Sequence, residues 1–138
     1  MKTKPRTDWE ERFACEKPLT IKTLEKAFAD IPAGSTMLIV TPKMVDEVVR
    51  ALPKGTIVEQ ADIRRTLSKQ FGANYACPVT TGISLRVVAE RAYLQFQAGI
   101  AESKVTPFWR VIAPSSDLAK KLACGKDYIA KKRRDERA

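Results

Sequence analysis

The sequence predicts a mostly α-helical protein: a winged helix-turn-helix domain with a helical N-terminal extension and at most a small β wing. Apolar residues recur with helical spacing in several segments, and a glycine-containing turn separates two of them, as in a helix-turn-helix. With 138 residues, 44% of them hydrophobic, the chain is long enough for one domain with its own core. We expect a mobile tail over residues 1–18 and a single domain over residues 19–130. Residues 19–52 supply the N-terminal helices of this domain, and residues 131–138 form a basic tail.

The N-terminal part of the chain changes from charged to apolar. Residues 1–18 are highly charged and contain two prolines, which is typical of a mobile segment with at most one helical turn around Trp9–Phe13. From Thr20 to Ala29 the apolar residues have helical spacing, which predicts a first helix. Met37–Val40 is a short apolar run, which predicts a strand or a segment packed on the core.

Two further helices are predicted from their boundaries. Thr41 can cap a helix whose first residue is Pro42, and Pro53-Lys54-Gly55 ends that helix. The next helix is predicted over about Glu59–Gln70, and Gly72–Asn74 forms the turn that follows it. With the helix that comes next, it makes the predicted helix-turn-helix.

The longest predicted helix extends over roughly Ile83–Ala98. One face is apolar, and another carries Arg86 with other polar residues. Thr80, Thr81 and Gly82 stand before its start, where hydroxyl and backbone N–H groups can bind a phosphate. A merely solvated outer face would have the same pattern, so the polar face alone does not establish binding.

An aromatic pair follows the long helix. Phe108 and Trp109 stand directly after Pro107, whose fixed φ places them at a defined corner. Taken alone, such a pair is typical of core packing. Val111–Ile112 and the turn over residues 114–117 predict a small β wing.

The C-terminal part is predicted to be a broken helix. Leu118–Leu122 and Asp127–Lys132 have helical composition, and Cys124-Gly125 separates them. The last residues are mostly basic and would attract phosphates without regard to sequence. The whole chain has a net charge of +9 and a pI near 9.7, which favours nucleic acid as a partner, followed by an acidic membrane surface.

Several classes of chemistry are excluded by composition. The chain contains no histidine, so no mechanism that needs an imidazole is possible. Cys15, Cys77 and Cys124 are far apart and lack metal-ligand spacing, so we expect reduced thiols, no metal site and no cofactor. We find no secretory signal and no apolar run long enough to cross a membrane, and we expect a cytoplasmic protein.

From Pro53 to about Ile129, the chain resembles the DNA-binding domain of the alkylguanine-DNA alkyltransferases, which move an alkyl group from guanine to their own cysteine. Pro53–Val58 is similar to the Pro-x-Gly turn and β-like run before the family's helix-turn-helix. Arg86-Val87-Val88 resembles the place of the arginine that enters the base stack. Pro107–Ile112 is similar to the active-site motif Pro-Cys-His-Arg-Val followed by an apolar residue. Residues 53–130 would then form the alkyltransferase-like part of the domain.

The departures from the family determine the expected chemistry. Phe108 stands where the family has its acceptor cysteine, Trp109 where it has the activating histidine, and Gln60 where it has a tyrosine that helps to rotate the nucleotide out. A phenyl ring is no nucleophile, so self-alkylation is excluded and we expect no enzymatic activity. The pattern resembles the alkyltransferase-like proteins, which bind alkylated DNA without repairing it.

This resemblance implies specific sites and partners. The ligand would be double-stranded DNA, and the target within it would be alkylated guanine or distorted DNA. Repair proteins would be further partners, and the protein itself is expected to be a monomer. The DNA-binding residues would be Arg86, Thr80, Thr81, Gly82, Lys54, Arg64 and Arg65. The lesion pocket would be lined by Phe108, Trp109, Pro107, Gln60 and Arg110.

Two alternatives remain open at the level of sequence. The same helix-turn-helix could belong to a transcription regulator or to an interaction module that has no lesion preference. A thiol alkyltransferase using Cys77 or Cys124 is the other alternative, since a helix N-terminus near Cys77 would lower the pKa of its thiol.

Overall fold

The computed structural model describes residues 8–15 and 17–137, and it is mostly helical with a small three-stranded sheet. The helices are α1 (Trp9–Ala14), α2 (Pro42–Arg50), α3 (Gln60–Phe71), α4 (Pro78–Gln97), α5 (Asp117–Lys121) and α6 (Gly125–Arg137). The strands are β1 (Ile21–Thr23), β2 (Thr36–Leu38) and β3 (Tyr75–Ala76). Short 3-10 turns occur at Glu102–Lys104 and Phe108–Arg110. Within the described ranges, every helix is too short or too polar to cross a bilayer.

The predicted bounds of α2 and α3 are confirmed to within a residue or two. Thr41 caps α2, because its hydroxyl accepts a hydrogen bond from the backbone N–H of Met44, and Pro42 is the first helical residue. At the end of α3, Gly72 has a φ of 73°, the left-handed conformation that glycine adopts without strain. Local capping chemistry was therefore sufficient to locate both helices.

The predicted start of α4 at Ile83 is wrong, because the helix already begins at Pro78. Cys77 is the N-cap, and its sulfur accepts a hydrogen bond from the backbone N–H of Thr80. A proline at the first helical position needs no N–H partner, so Pro78 starts the helix readily. Thr80, Thr81 and Gly82 consequently lie inside the first turns of α4 and not before them.

The helix predicted over Thr20–Ala29 is also wrong. Ile21–Thr23 forms β1, which pairs antiparallel with β2 and places Ile21 opposite Leu38. β3 pairs with the other edge of β2 in parallel, so β2 is the central strand. Phe28, part of the supposed helical stripe, is exposed and lies in a tight turn with Ile31.

The predicted wing does not form at Val111–Ile112. Both residues follow the 3-10 turn at Phe108–Arg110, and their backbone N–H groups donate to the carbonyl of Phe108 at 3.1 and 3.0 Å. Their side chains are buried in the core. Because the backbone N–H groups of both residues already have an acceptor in this turn, they do not need a neighbouring strand. The small sheet is built instead from three segments that precede α4.

The core lies between α2, α3, α4 and α6. Its buried members include Leu38, Val45, Val49, Ile63, Leu67, Leu85, Val88, Phe108, Trp109 and Ile129. The broken C-terminal helix is confirmed as α5 and α6, with the break before Gly125. However, α6 continues through Arg137, so most of the predicted basic tail is helical and Lys132 is buried within it.

The predicted N-terminal tail contains an ordered helix. α1 spans Trp9–Ala14, where a single helical turn was predicted, and it contacts both α4 and α2. Residues 1–7 and 16 of the predicted tail lie outside the described residues.

Candidate nucleic-acid interface

A cleft of about 380 Å³ opens along the first half of α4. The start of α3 forms one wall and α5 the other. The lining residues, all neutral or basic, are Gln60, Pro78, Val79, Gly82, Ile83, Arg86, Leu118 and Lys121. The Gln60 side-chain amide donates to the carbonyl of Pro78 at 3.1 Å, which ties the two helix starts together. The cleft therefore lies between two connected helix starts and has the cationic groups of Arg86 and Lys121 in its lining.

The exposed side of α4 presents apolar residues next to a cation. Val79 is 53% exposed and Ile83 49% exposed, although both are aliphatic. They are four residues apart and Arg86 is three residues further on, so all three share one face of the helix. Lys121 faces them from α5 across the cleft. An exposed apolar pair flanked by cations is typical of a contact surface and not of a solvated face.

Arg86 is held loosely at this surface. Its side chain is 41% exposed, and its Nε lies 4.0 Å from the Glu90 carboxylate. The guanidinium carbon lies 5.3 Å from the centre of the Trp9 ring of α1. Within residues 8–15 and 17–137, the buried Arg86 Nε finds no hydrogen-bond acceptor. The other oxygen of the Glu90 carboxylate, Oε1, accepts a hydrogen bond from the backbone N–H of Ala123 at 3.0 Å.

The hydroxyls predicted to bind phosphate are used inside the fold. Thr81 is fully buried and donates to the carbonyl of Cys77 at 2.7 Å. Thr80 accepts from the backbone N–H of Val40 at 3.0 Å and so joins α4 to the end of β2. Gly82 does lie on the cleft, beside Gln60. Of these three predicted phosphate contacts, Gly82 alone is therefore in the lining of the cleft.

The other predicted phosphate contacts lie apart from the cleft lining. Arg64 donates to the carbonyl of Ala76 and makes a bidentate pair with Asp30, so it braces β3. Arg65 is exposed and pairs with Asp62. Lys54 is exposed in the turn before α3.

The five residues of the predicted lesion pocket do not form one pocket. Phe108 and Trp109 are 1% and 3% exposed, and their rings meet edge to face at 5.4 Å. Phe108 also stacks on Tyr128. Pro107 is buried next to them, whereas Gln60 lies on the α4 cleft. Phe108 is therefore core, whereas Pro107, Trp109 and Arg110 line a small cavity of about 160 Å³ that is separate from the α4 cleft.

Arg110, the last of the five, belongs to a partly buried ionic network at the end of α6. Its guanidinium pairs with Glu136 at 2.6 Å and donates to the carbonyl of Leu52 at 2.7 Å. The Trp109 indole N–H donates to Glu136 at 2.8 Å. Burial raises the pKa of the Glu136 carboxyl, but hydrogen bonds from Arg110 and Trp109 outweigh it and leave the pKa below its ordinary value. Sequence reasoning missed Glu136 because it stands in a basic run that was taken as solvated.

The three thiols differ in their surroundings. Burial, followed by the nearby Glu90 charge, raises the pKa of the Cys124 thiol to about 11. Cys77 is buried under the first turn of α4. Cys15 is exposed. Among the described residues no group of three or more acidic or cysteine side chains could hold a metal ion.

This difference in exposure and pKa can be measured by alkylation. With iodoacetamide at mildly alkaline pH, we expect Cys15 to react first and Cys124 roughly 100-fold more slowly than an ordinary thiol, because so little of it is thiolate. Peptide mass spectrometry over time would give the rates, with Cys15→Ser and Cys124→Ser as assignment controls. Rapid modification of Cys124 would contradict the raised pKa and favour a thiol chemistry.

Comparisons with known protein families, with curated proteins and with solved structures found no match for this chain. Function is therefore inferred from the cleft beside α4, from the residues that line it and from the charge of the chain.

Proposed function

We propose that this chain is a non-enzymatic DNA-binding protein of the winged-helix type, which contacts double-stranded DNA with the first half of α4. The observation that carries the proposal is the cleft along α4, where exposed Val79 and Ile83 lie between the cations Arg86 and Lys121. The net charge of +9 supplies the long-range attraction to the phosphate backbone.

Binding would combine phosphate contacts with insertion into the minor groove. Apolar side chains of minor-groove proteins wedge between base steps, and Ile83 and Val79 are suited to this because they protrude from a rigid helix. Arg86 would enter the same step and hold the opened stack. Unstacking costs a few kcal/mol, which the added contacts offset.

The cleft also offers a place for a displaced base. Its volume of about 380 Å³ lies directly beside Arg86, and Gln60 would face the edge of the base. A damaged or mismatched base costs less to extrude than a paired one, so this geometry supports a preference for distorted DNA. The resemblance to the alkyltransferase-like proteins extends the proposal to alkylated guanine, with repair proteins as the partners that act afterwards.

A second candidate is a winged-helix regulator without lesion preference. The burial of Phe108 and Trp109 favours it, because the aromatic residues predicted to stack on a lesion are part of the core. Both candidates use Arg86 and the exposed face of α4, and they differ only in whether the cleft receives a base.

Binding to matched duplexes that contain either guanine or O6-methylguanine would separate the candidates. At near-physiological salt, we expect tighter binding to the methylated duplex. Arg86→Ala should weaken binding to both duplexes about tenfold, because it removes the cation beside the base step. Fluorescence anisotropy would give the affinities.

Arg134→Ala is the matched control for charge, since Arg134 is an exposed arginine on α6 and is not in the lining of the cleft. Equal affinity for the two duplexes would exclude the lesion preference and would support the second candidate, a regulator without lesion preference. An Arg86→Ala effect no larger than that of Arg134→Ala would remove α4 as the binding element. Absence of binding both in the wild type and in a variant with weakened contacts between α1 and α4 would overturn the proposal.

A further inference from the structure

α1 lies across the outer face of α4 and is attached mainly by polar and ring contacts. The Glu10 carboxylate pairs with Arg91 at 2.6 Å, and the Arg91 guanidinium carbon lies 3.9 Å from the centre of the Phe13 ring. The Trp9 ring lies under Arg86. None of the six residues of α1 is buried. Phe13 packs against the edge of the hydrophobic core, and the contacts of α1 with the arginines of α4 are one ion pair and ring contacts.

Val87 is a buried apolar residue on the side of α4 that carries Arg86 and Arg91. It is 1% exposed, yet it belongs to neither hydrophobic cluster. At 3.6 residues per turn, Val87 projects on the side of α4 opposite Leu85 and Ala89, in the angle between Arg86 and Arg91. α1 contacts both of these arginines, which lie on either side of Val87 around the helix.

The contacts made by α1 have the same chemistry as contacts to nucleic acid. A tryptophan ring beside a guanidinium resembles a base stacked on arginine, and a carboxylate paired with arginine resembles a phosphate. Three acidic residues, Asp8, Glu10 and Glu11, against the single cation Arg12 make α1 and its N-cap locally negative, in a protein that is basic as a whole. Charge complementarity thus holds α1 on the cationic face of α4.

We propose that α1 is an internal competitor for nucleic acid, which occupies a binding site formed by Arg86 and Arg91 and leaves when DNA binds. This inference rests on the proposed function and adds Arg91 to the DNA-binding residues. Displacement of α1 would expose both guanidinium groups, and would extend the contact surface of α4 by a further turn beyond the cleft.

The test compares two variants that change the charge of α1 equally. Glu10→Gln removes the partner of Arg91, whereas Glu11→Gln removes an exposed charge one residue away that forms no ion pair with α4 in the part of the chain that the structure describes. We expect Glu10→Gln to tighten duplex binding several-fold more than Glu11→Gln. In the Glu10→Gln background, Arg91→Ala should then weaken binding, since Arg91 would be a DNA contact.

Hydrogen exchange gives a second measurement on the unmodified chain. Adding duplex should increase amide exchange in α1 and decrease it in the middle of α4. Protection of both helices would mean that α1 is part of the DNA interface, which would overturn the competitor.

The failures of the two proposals are distinguishable. If the wild type binds DNA and the Glu10→Gln and Glu11→Gln variants have equal affinity for the duplex, the proposal that α1 competes with DNA is overturned, whereas the proposal of DNA binding stands. If Glu10→Gln binds while the wild type does not, the competitor is supported strongly. If neither binds, DNA binding and the competitor are both overturned.

Discussion

Truncating Phe108 to alanine is expected to lower the free energy of unfolding by about 3–5 kcal/mol, the largest effect of any substitution proposed for this chain. The phenyl ring is almost fully buried and contacts the rings of Trp109 and Tyr128. Its removal leaves a cavity that the surrounding helices cannot fill. Urea denaturation followed by circular dichroism would measure the change.

Phe28→Ala is the appropriate control, because the same truncation at this exposed residue should cost less than about 1 kcal/mol. A small effect of Phe108→Ala would mean that the ring is dispensable for packing. It would also reopen the idea that the corner lines a lesion pocket, since a ring placed for a ligand contributes less to the core.

The second large effect is expected at Glu136. Replacing it with alanine should cost about 3 kcal/mol, because Arg110 would remain inside the fold without its anionic partner. We place the effect at the lower end for a buried pair, since the two side chains keep 14% and 10% of their exposure to water. Trp109 would lose the acceptor of its indole N–H as well.

Asp135→Ala provides the comparison for Glu136→Ala. Asp135 pairs with Lys131 at 2.8 Å on the exposed face of α6, so its loss should change stability far less than the loss of Glu136. Denaturant titrations would measure the free energy of unfolding of both variants. Equal effects would mean that the Arg110–Glu136 network is solvated and contributes little.

The same network predicts how stability depends on pH. The pKa of Glu136 in the folded protein lies below the ordinary value of 4.5, so the unfolded chain binds this proton more readily. The contribution of Glu136 is therefore fully present above that ordinary value and is lost as the pH falls through the lowered one. Glu136→Gln should flatten this acid limb of the stability curve, whereas an unchanged limb would assign it to other carboxyls.

Sequence patterns located those parts of the fold that local chemistry determines. Thr41 with Pro42 and the glycine at residue 72 fix helix ends by capping, which needs no distant partner. β1 was missed for the opposite reason: Ile21–Thr23 is a strand only because β2, some fifteen residues later, offers its edge. The apolar spacing over Thr20–Ala29 does not by itself distinguish a helix from a strand.

The candidate site was predictable only in part. Arg86 lies on the exposed face of α4, where the polar stripe of the helix predicted it, and Gln60 and Gly82 lie beside it. The contacts of Arg86 with Trp9 and of Arg110 with Glu136 join residues far apart in sequence, so no local pattern reveals them. The burial of Phe108 likewise follows from the position of α6, which spacing alone does not give.

The central position of β2 has a consequence for the order of folding. The N–H of Val40, just after β2, donates to Thr80, and the Leu38 carbonyl accepts from Cys77, so the first turn of α4 is anchored to residues about forty positions earlier. Helical turns form on local contacts, but joining such distant segments requires closure of a long loop and is slower. We therefore expect the orientation of the cleft to be set late in folding, after the helices that surround it, and hydrogen-exchange labelling during refolding would measure this order.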